Sequence, residues 1–257
     1  MDPGSIEVSS FTKCFGERIA VRDLSFAIGG GEIIGLVGPN GAGKTTTLRA
    51  LAGVLAPDAG RLCVAGHDLA VDPLAAKRRL ALVPDGAQLY PSLTVWEHLE
   101  LSAQLYDVDT WEEDARALLA ELDLAEREGD LASELSHGMS QKVAVTAALL
   151  HRPQVLLFDE PFTGLDPRGI RTLFAALRRR AEDGAAVVVS SHLLSQIEGL
   201  CTRYLVLVEG SLRFDGSMQE ISARLPTLRA DASLEEIFFE ATEGPDEAPS
   251  DSEAKAL

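Results

Sequence analysis

No apolar stretch of this chain approaches the roughly 18 to 20 residues that a membrane-spanning helix needs, so the sequence predicts no direct membrane insertion. Its beginning, MDPGSIEV, lacks the basic and apolar regions of a secretion signal, so a soluble globular protein is expected. Cysteine is scarce: Cys14, Cys63 and Cys201 are the only three, scattered and without metal-ligand spacing. They form neither a disulfide framework nor a zinc site and suit a reducing compartment. Positive charge is short as well, 23 Lys and Arg against 40 Asp and Glu, for a net charge of −17. That balance opposes binding to nucleic acid or to an anionic bilayer, and favours a protein partner. Hydrophobic residues are plentiful at 46% of 257, enough for one large domain or a core with a subdomain.

The stretch Gly38 to Thr46, GPNGAGKTT, fits the pattern G-x-x-x-x-G-K-[ST]. The apolar run Ile33 to Val37 reads as a buried strand entering it and Thr45 to Leu55 as the helix leaving it, the context the motif requires. Gly38, Gly41 and Gly43 let the backbone curl so that N–H groups along Asn40, Ala42, Thr46 and their neighbours face a phosphate chain at a helix N-terminus. Lys44 is expected at the β and γ phosphates and the Thr45 hydroxyl at Mg²⁺, so the expected ligand is Mg-ATP or Mg-GTP.

Ile6 to Phe11 and Leu24 to Ile28 read as two strands joined by the loop TKCFGER, in which Phe15 offers an aromatic face to a nucleobase. Arg61 to Ala65 reads as a strand, Pro73 to Leu80 as a helix and Ala81 to Val83 as a strand ending at Pro84 and Asp85. From Leu93 to Leu150 helix signals dominate, with capping boxes at Thr94 to Glu97 and Thr110 to Glu113. LSHGMSQ, Leu135 to Gln141, opens a helix at which Ser136 and Gly138 stand where an anion could be received, although Ser136 also reads as an ordinary N-cap. The apolar strand Val155 to Phe158 ends in Asp159 and Glu160, adjacent carboxylates that are costly unless used. Beside a bound nucleotide, Asp159 is expected at the metal and Glu160 at the attacking water. Asp166 before Pro167 reads as an N-cap, and His192 follows the strand Ala186 to Ser190, where ligands of open α/β sheets collect. Arg203 to Val208 and Ser211 to Phe214 suggest a hairpin over Glu209-Gly210, Ser233 to Glu236 suggests a third capping box, and an acidic tail follows Glu240.

In this order the motifs resemble the nucleotide-binding subunit of ATP-binding cassette (ABC) transporters over about Ile6 to Thr242. GPNGAGKTT looks like the Walker A loop, LSHGM like the signature LSGGQ, VLLFDE like Walker B, GLDP like the D-loop, and His192 like the switch histidine. The resemblance implies an α/β fold: a P-loop NTPase core with an N-terminal antiparallel β layer and an inserted α-helical subdomain. Residues 1–242 would be the ATPase domain, with the helical subdomain about 86–152, and 243–257 a disordered tail. It further implies ATP with Mg²⁺, adenine stacking by Phe15, and catalysis by Glu160 with His192. Asp85 falls where the family has the Q-loop glutamine that senses metal and water.

The implied assembly is a head-to-tail dimer of two such subunits, expected to be copies of this chain. Ser136 and Gly138 of one would close the site around Lys44 and Thr45 of the other, driving a separate membrane permease from the cytoplasmic face of the cell membrane. The ending SLEEIFFEAT resembles ATPases of ABC-2 type exporters. Two departures stand out: Asp85 replaces an amide with a carboxylate, and His137 replaces the first glycine of the signature. They motivate a poorly hydrolysing regulatory subunit as an alternative. A soluble cassette ATPase of DNA repair or translation is a second alternative, which the chain disfavours by having neither a long coiled-coil insertion nor tandem cassettes.

Overall fold

The computed structural model describes residues 5–192 and 197–223. The third capping box, the SLEEIFFEAT ending and the acidic tail lie outside these residues. Two sheets organise the molecule. The first is antiparallel, of order β2-β1-β4-β5, built from β1 (Ile6–Phe15), β2 (Arg18–Ile28), β4 (Ala59–Val64) and β5 (His67–Asp68). The second has six strands in the order β10-β9-β3-β8-β7-β6. Its members are β3 (Ile33–Val37), β6 (Leu80–Val83), β7 (Val155–Asp159), β8 (Ala186–Ser191), β9 (Arg203–Val208) and β10 (Ser211–Gly216). From β9 to β6 the neighbours run parallel, and only β10 joins antiparallel.

The sequence explains the division. β3, β7 and β8 are buried at every position, as strands covered on both faces of a parallel sheet must be. β2 alternates buried and exposed residues over Leu24 to Ile28, the pattern of a sheet with one wet face. On one face of the large sheet, Ile34, Leu36, Val155, Leu157 and Val188 pack with the antiparallel layer and with α1 (Lys44–Leu51). On the other face, Phe158, Val187 and Val189 pack with α3 (Val95–Leu105), α4 (Trp111–Glu121), α5 (His137–Leu150) and α6 (Pro167–Glu182). Two short helices, α2 (Pro73–Lys77) and α7 (Met218–Ala223), also occur among the described residues. Among the described residues no helix is long and apolar enough to cross a membrane.

Several boundaries differ from the sequence reading, each for a physical reason. β1 and β2 run through the expected TKCFGER loop to a turn at Gly16-Glu17, because β1 is flanked by β2 and β4 and the Asp58 carboxylate accepts the Cys14 N–H at 2.6 Å. Phe15 is therefore the last residue of a strand. The helix expected over Pro73 to Leu80 stops at Lys77, and Leu80 already pairs with Val155 in the sheet. Thr94 forms its capping box with Glu97, worth about 1 kcal/mol, but Thr110 makes no cap hydrogen bond. Its backbone is left-handed at φ 52°, whereas a capping residue needs an extended backbone to aim its oxygen along the helix. Val95 starts α3 wholly buried and so belongs to the core.

Candidate nucleotide-binding site

Strand order decides where the chemistry gathers. The parallel neighbours β3, β8, β7 and β6 all end on the same edge of the sheet. Their exits carry the glycine-rich loop, His192, Asp159 with Glu160, and Asp85 respectively. This is where ligands of open α/β sheets bind. A cleft of about 560 Å³ opens there. Of the residues expected from sequence, Phe15, Asn40, Gly41, Ala42, Gly43, Lys44, Thr45, Thr46, Asp85, Glu160 and His192 line it. Arg18, Ala20 and Thr163 line it too and were missed. Arg18 carried a faint signal, an arginine just past the expected aromatic.

The loop is folded as an anion cradle. Gly43 is left-handed at φ 105°, and a Cβ there would come within 2.8 Å of the Ala20 carbonyl oxygen, so glycine is required. A Cβ on Gly38 would overlap the Leu207 carbonyl oxygen. No side chain caps α1, so the N–H groups of Lys44, Thr45 and Thr46 have no intrahelical acceptor and are open to a ligand. The buried Lys44 ammonium donates to the carbonyls of Gly38 at 2.6 Å and Pro39 at 3.2 Å. Burial, the larger effect, pushes its pKa below the ordinary lysine value, while the charges of Glu160 and then Asp159 pull it back up.

Asp159 is 4% exposed, and its Oδ1 accepts the Ser190 hydroxyl at 2.6 Å. The same hydroxyl oxygen accepts the Glu160 N–H at 3.1 Å, so Ser190, directly opposite Asp159 in β8, fixes the Asp159 carboxylate and the Glu160 backbone. Sequence reasoning missed Ser190, although two serines closing the apolar run AVVVSS were its signal. Glu160 sits in the left-handed region at φ 49°, a strained position for a side-chain-bearing residue and one that concentrates at functional sites. Its Oε2 accepts from His192 Nδ1 at 2.8 Å; an ionised carboxylate has no proton to give, so Nδ1 carries the hydrogen.

Ser136 and Gly138 do not reach this cleft. Ser136 caps α5, its Oγ accepting from the Met139 N–H at 3.3 Å, and lies exposed. His137 packs against Gly164: a Cβ on Gly164 would overlap the His137 ring. Among the described residues no group of three or more His, Cys, Asp or Glu could hold a metal alone. The oxygens available are the exposed Thr45 hydroxyl, Asp159 and Asp85, a sparse hard-donor set. Such a set fits Mg²⁺, which takes few protein ligands and shares the rest with phosphates and water.

Comparison with known proteins gives this geometry its family. The model of the family described as ABC transporter matches residues 21–163. The chain belongs to the ABC transporter family. Among relatives, the ABC-type transporter ATP-binding protein EcsA of Bacillus subtilis (strain 168) is 33% identical over 239 residues, 92% of this chain and 96% of that one. Nod factor export ATP-binding protein I of Paraburkholderia xenovorans (strain LB400) is 36% identical over 227 residues, 87% of this chain and 74% of that one. A solved structure titled "Structure of ATP binding subunit of ABC transporter" superposes with a TM-score of 0.86 at 32% identity, covering 92% and 98% of the two chains. The chain is thus the ATP-binding, ATP-hydrolysing subunit of an ABC transporter, with the P-loop NTPase fold expected from its motifs. ABC subunits of this kind pair with membrane permeases and dimerise.

Proposed function

We propose that this ABC subunit is the Mg-ATPase of an exporter, acting as a head-to-tail homodimer on the cytoplasmic face of the cell membrane. The observation that carries the reading is the meeting of Lys44 and Thr45 with the Glu160–His192 pair in one cleft. In this reading the adenine stacks on Phe15, half exposed at the cleft mouth. Lys44 and the N–H groups of the loop from Asn40 to Thr46, turned by Gly38, Gly41 and Gly43, hold the phosphates. Thr45, Asp159 and Asp85 would hold Mg²⁺, which when bound neutralises charge developing on the phosphates. Glu160 takes the proton of the attacking water, and His192 orients it by donating to Oε2.

The exposed Ser136 and the half-buried Gly138, neither of which lines its own chain's cleft, are left to close the cleft of a second copy. The domain limits follow from the same reading: an ATPase domain over 1–242, a helical subdomain about 86–152 and a separate tail over 243–257. The permease is assigned to the segment beside Asp85, where Tyr90 is 60% exposed. ATPase assay of the purified chain, with and without the permease recovered from membranes, tests the proposal: slow basal hydrolysis stimulated by the permease is expected. A chain that binds ATP without hydrolysing it, alone or with the permease, would favour a regulatory subunit instead.

A further inference from the structure

The β1–β2 hairpin contributes more than an aromatic face. Across its Gly16-Glu17 turn, Phe15 and Arg18 are paired residues, and both line the nucleotide cleft. The Arg18 guanidinium extends over the phosphate loop: a Cβ placed on Gly41 would lie 3.3 Å from Arg18 Nη2. Arg18 is exposed and makes no ion pair or hydrogen bond among the described residues, in a chain of net charge −17. Among the described residues the cleft lining contains two Lys or Arg residues, Lys44 and Arg18, against the carboxylates Asp85 and Glu160. Lys44 is engaged with the loop carbonyls of Gly38 and Pro39. Arg18 has no such partner, and a planar fork with five donors is suited to bridging phosphate oxygens.

We propose that Arg18 is a nucleotide-binding residue, a second cation on the polyphosphate that ties the base-stacking hairpin to the phosphate loop. The inference rests on the assignment of ATP to this cleft. One strand turn then reads both ends of the ligand: Phe15 takes the base and Arg18 the phosphates. Because Arg18 is assigned to the bound polyphosphate and not to the attacking water, it binds ground state and transition state alike, and its loss raises KM while leaving kcat in place. A charge-assisted contact at an exposed position corresponds to about a tenfold change in affinity.

The test is calorimetric titration of the full chain with Mg-ATP and Mg-ADP, followed by steady-state ATPase assay, for wild type, Arg18→Gln and Arg18→Lys. Arg18→Gln should weaken both nucleotides about tenfold and raise KM to match, with kcat within about twofold. Arg18→Lys should restore part of the loss, since it keeps the charge and loses the fork. The deficit of Arg18→Gln should shrink in high salt, where the wild-type contact is screened. Wild-type affinity in Arg18→Gln overturns the proposal and leaves the nucleotide reading intact, as does a fall in kcat with unchanged KM. Failure of wild type to bind either nucleotide overturns both.

Discussion

Replacing Glu160 by Gln isolates the proposed chemistry from everything that supports it. The change keeps the side-chain length, and the amide oxygen can still accept from His192 Nδ1, where the carboxylate accepts at 2.8 Å. The left-handed backbone at φ 49° is no harder for Gln than for Glu, and the Glu160 N–H keeps Ser190 as its acceptor. Fold and cradle therefore persist, while the proton acceptor is gone. Positioned general bases contribute about 10² to 10⁴-fold, or about 3 to 5 kcal/mol on the barrier, and turnover should fall by that factor. ATP affinity should hold or tighten, because a negative charge beside the phosphates has been removed. Phosphate release measured against calorimetric binding checks both halves, and light scattering should find an ATP-bound dimer. Turnover within threefold of wild type, or loss of ATP binding, would refute the role given to Glu160.

Burial depresses the Lys44 pKa in the free protein, so bound phosphates should raise it and ATP binding should take up a proton at alkaline pH. Affinity then falls as pH rises through the depressed value, and calorimetry in buffers of different ionisation heat detects the proton. In the free protein the unfolded chain holds this proton more tightly, so Lys44 adds stability as pH rises from its depressed value towards the ordinary one, which thermal melts can follow. Gly164→Ala should displace the His137 ring and strain its own left-handed backbone at φ 77°, and so weaken the ATP-dependent dimer in the Glu160→Gln background; adding His137→Gly should restore the part due to the ring, as light scattering would show. Exchanging Tyr90 and Leu93 for Ser should reduce co-purification with the permease and its stimulation of ATPase severalfold, with ATP binding and melting temperature unchanged in the isolated chain.

The glycine-rich loop was legible because its spacing along the chain sets it between β3 and α1, and so was the position of the carboxylates ending β7, because adjacent charges after VLLF are costly unless used. The hairpin around Phe15 was not. Nothing local says that β1 will continue to Phe15; its continuation depends on β4 alongside and on Asp58, 44 residues away, accepting the Cys14 N–H. Ser190 was hidden for a similar reason, since its value lies in a register that sets it against Asp159. Thr110 misled because capping depends on a backbone angle as much as on residue type.

The docking assignment gains its mechanical sense from contacts that no motif announces. Tyr90 is exposed, but its backbone N–H donates to His98 Nε2 at 2.8 Å, and His98 Nδ1 is 2.8 Å from the Thr94 carbonyl oxygen. The exposed aromatic is thereby fastened to the first turn of α3. That turn is stitched in its own right to the segment before the signature: the Val95 N–H donates to Asp130 O at 3.0 Å and the Trp96 N–H to Glu128 O at 2.9 Å. The Ala132 N–H returns to Leu93 O at 2.9 Å. Ser136 follows four residues later and caps α5. A push on Tyr90 therefore has two backbone routes, one through the chain to Asp85 in the cleft and one across these bonds to Ser136. If the partner's cleft closes on Ser136 and Gly138, the same push reaches both halves of a composite site, whereas a partner seated on the antiparallel layer would reach the base through Phe15 and neither of them.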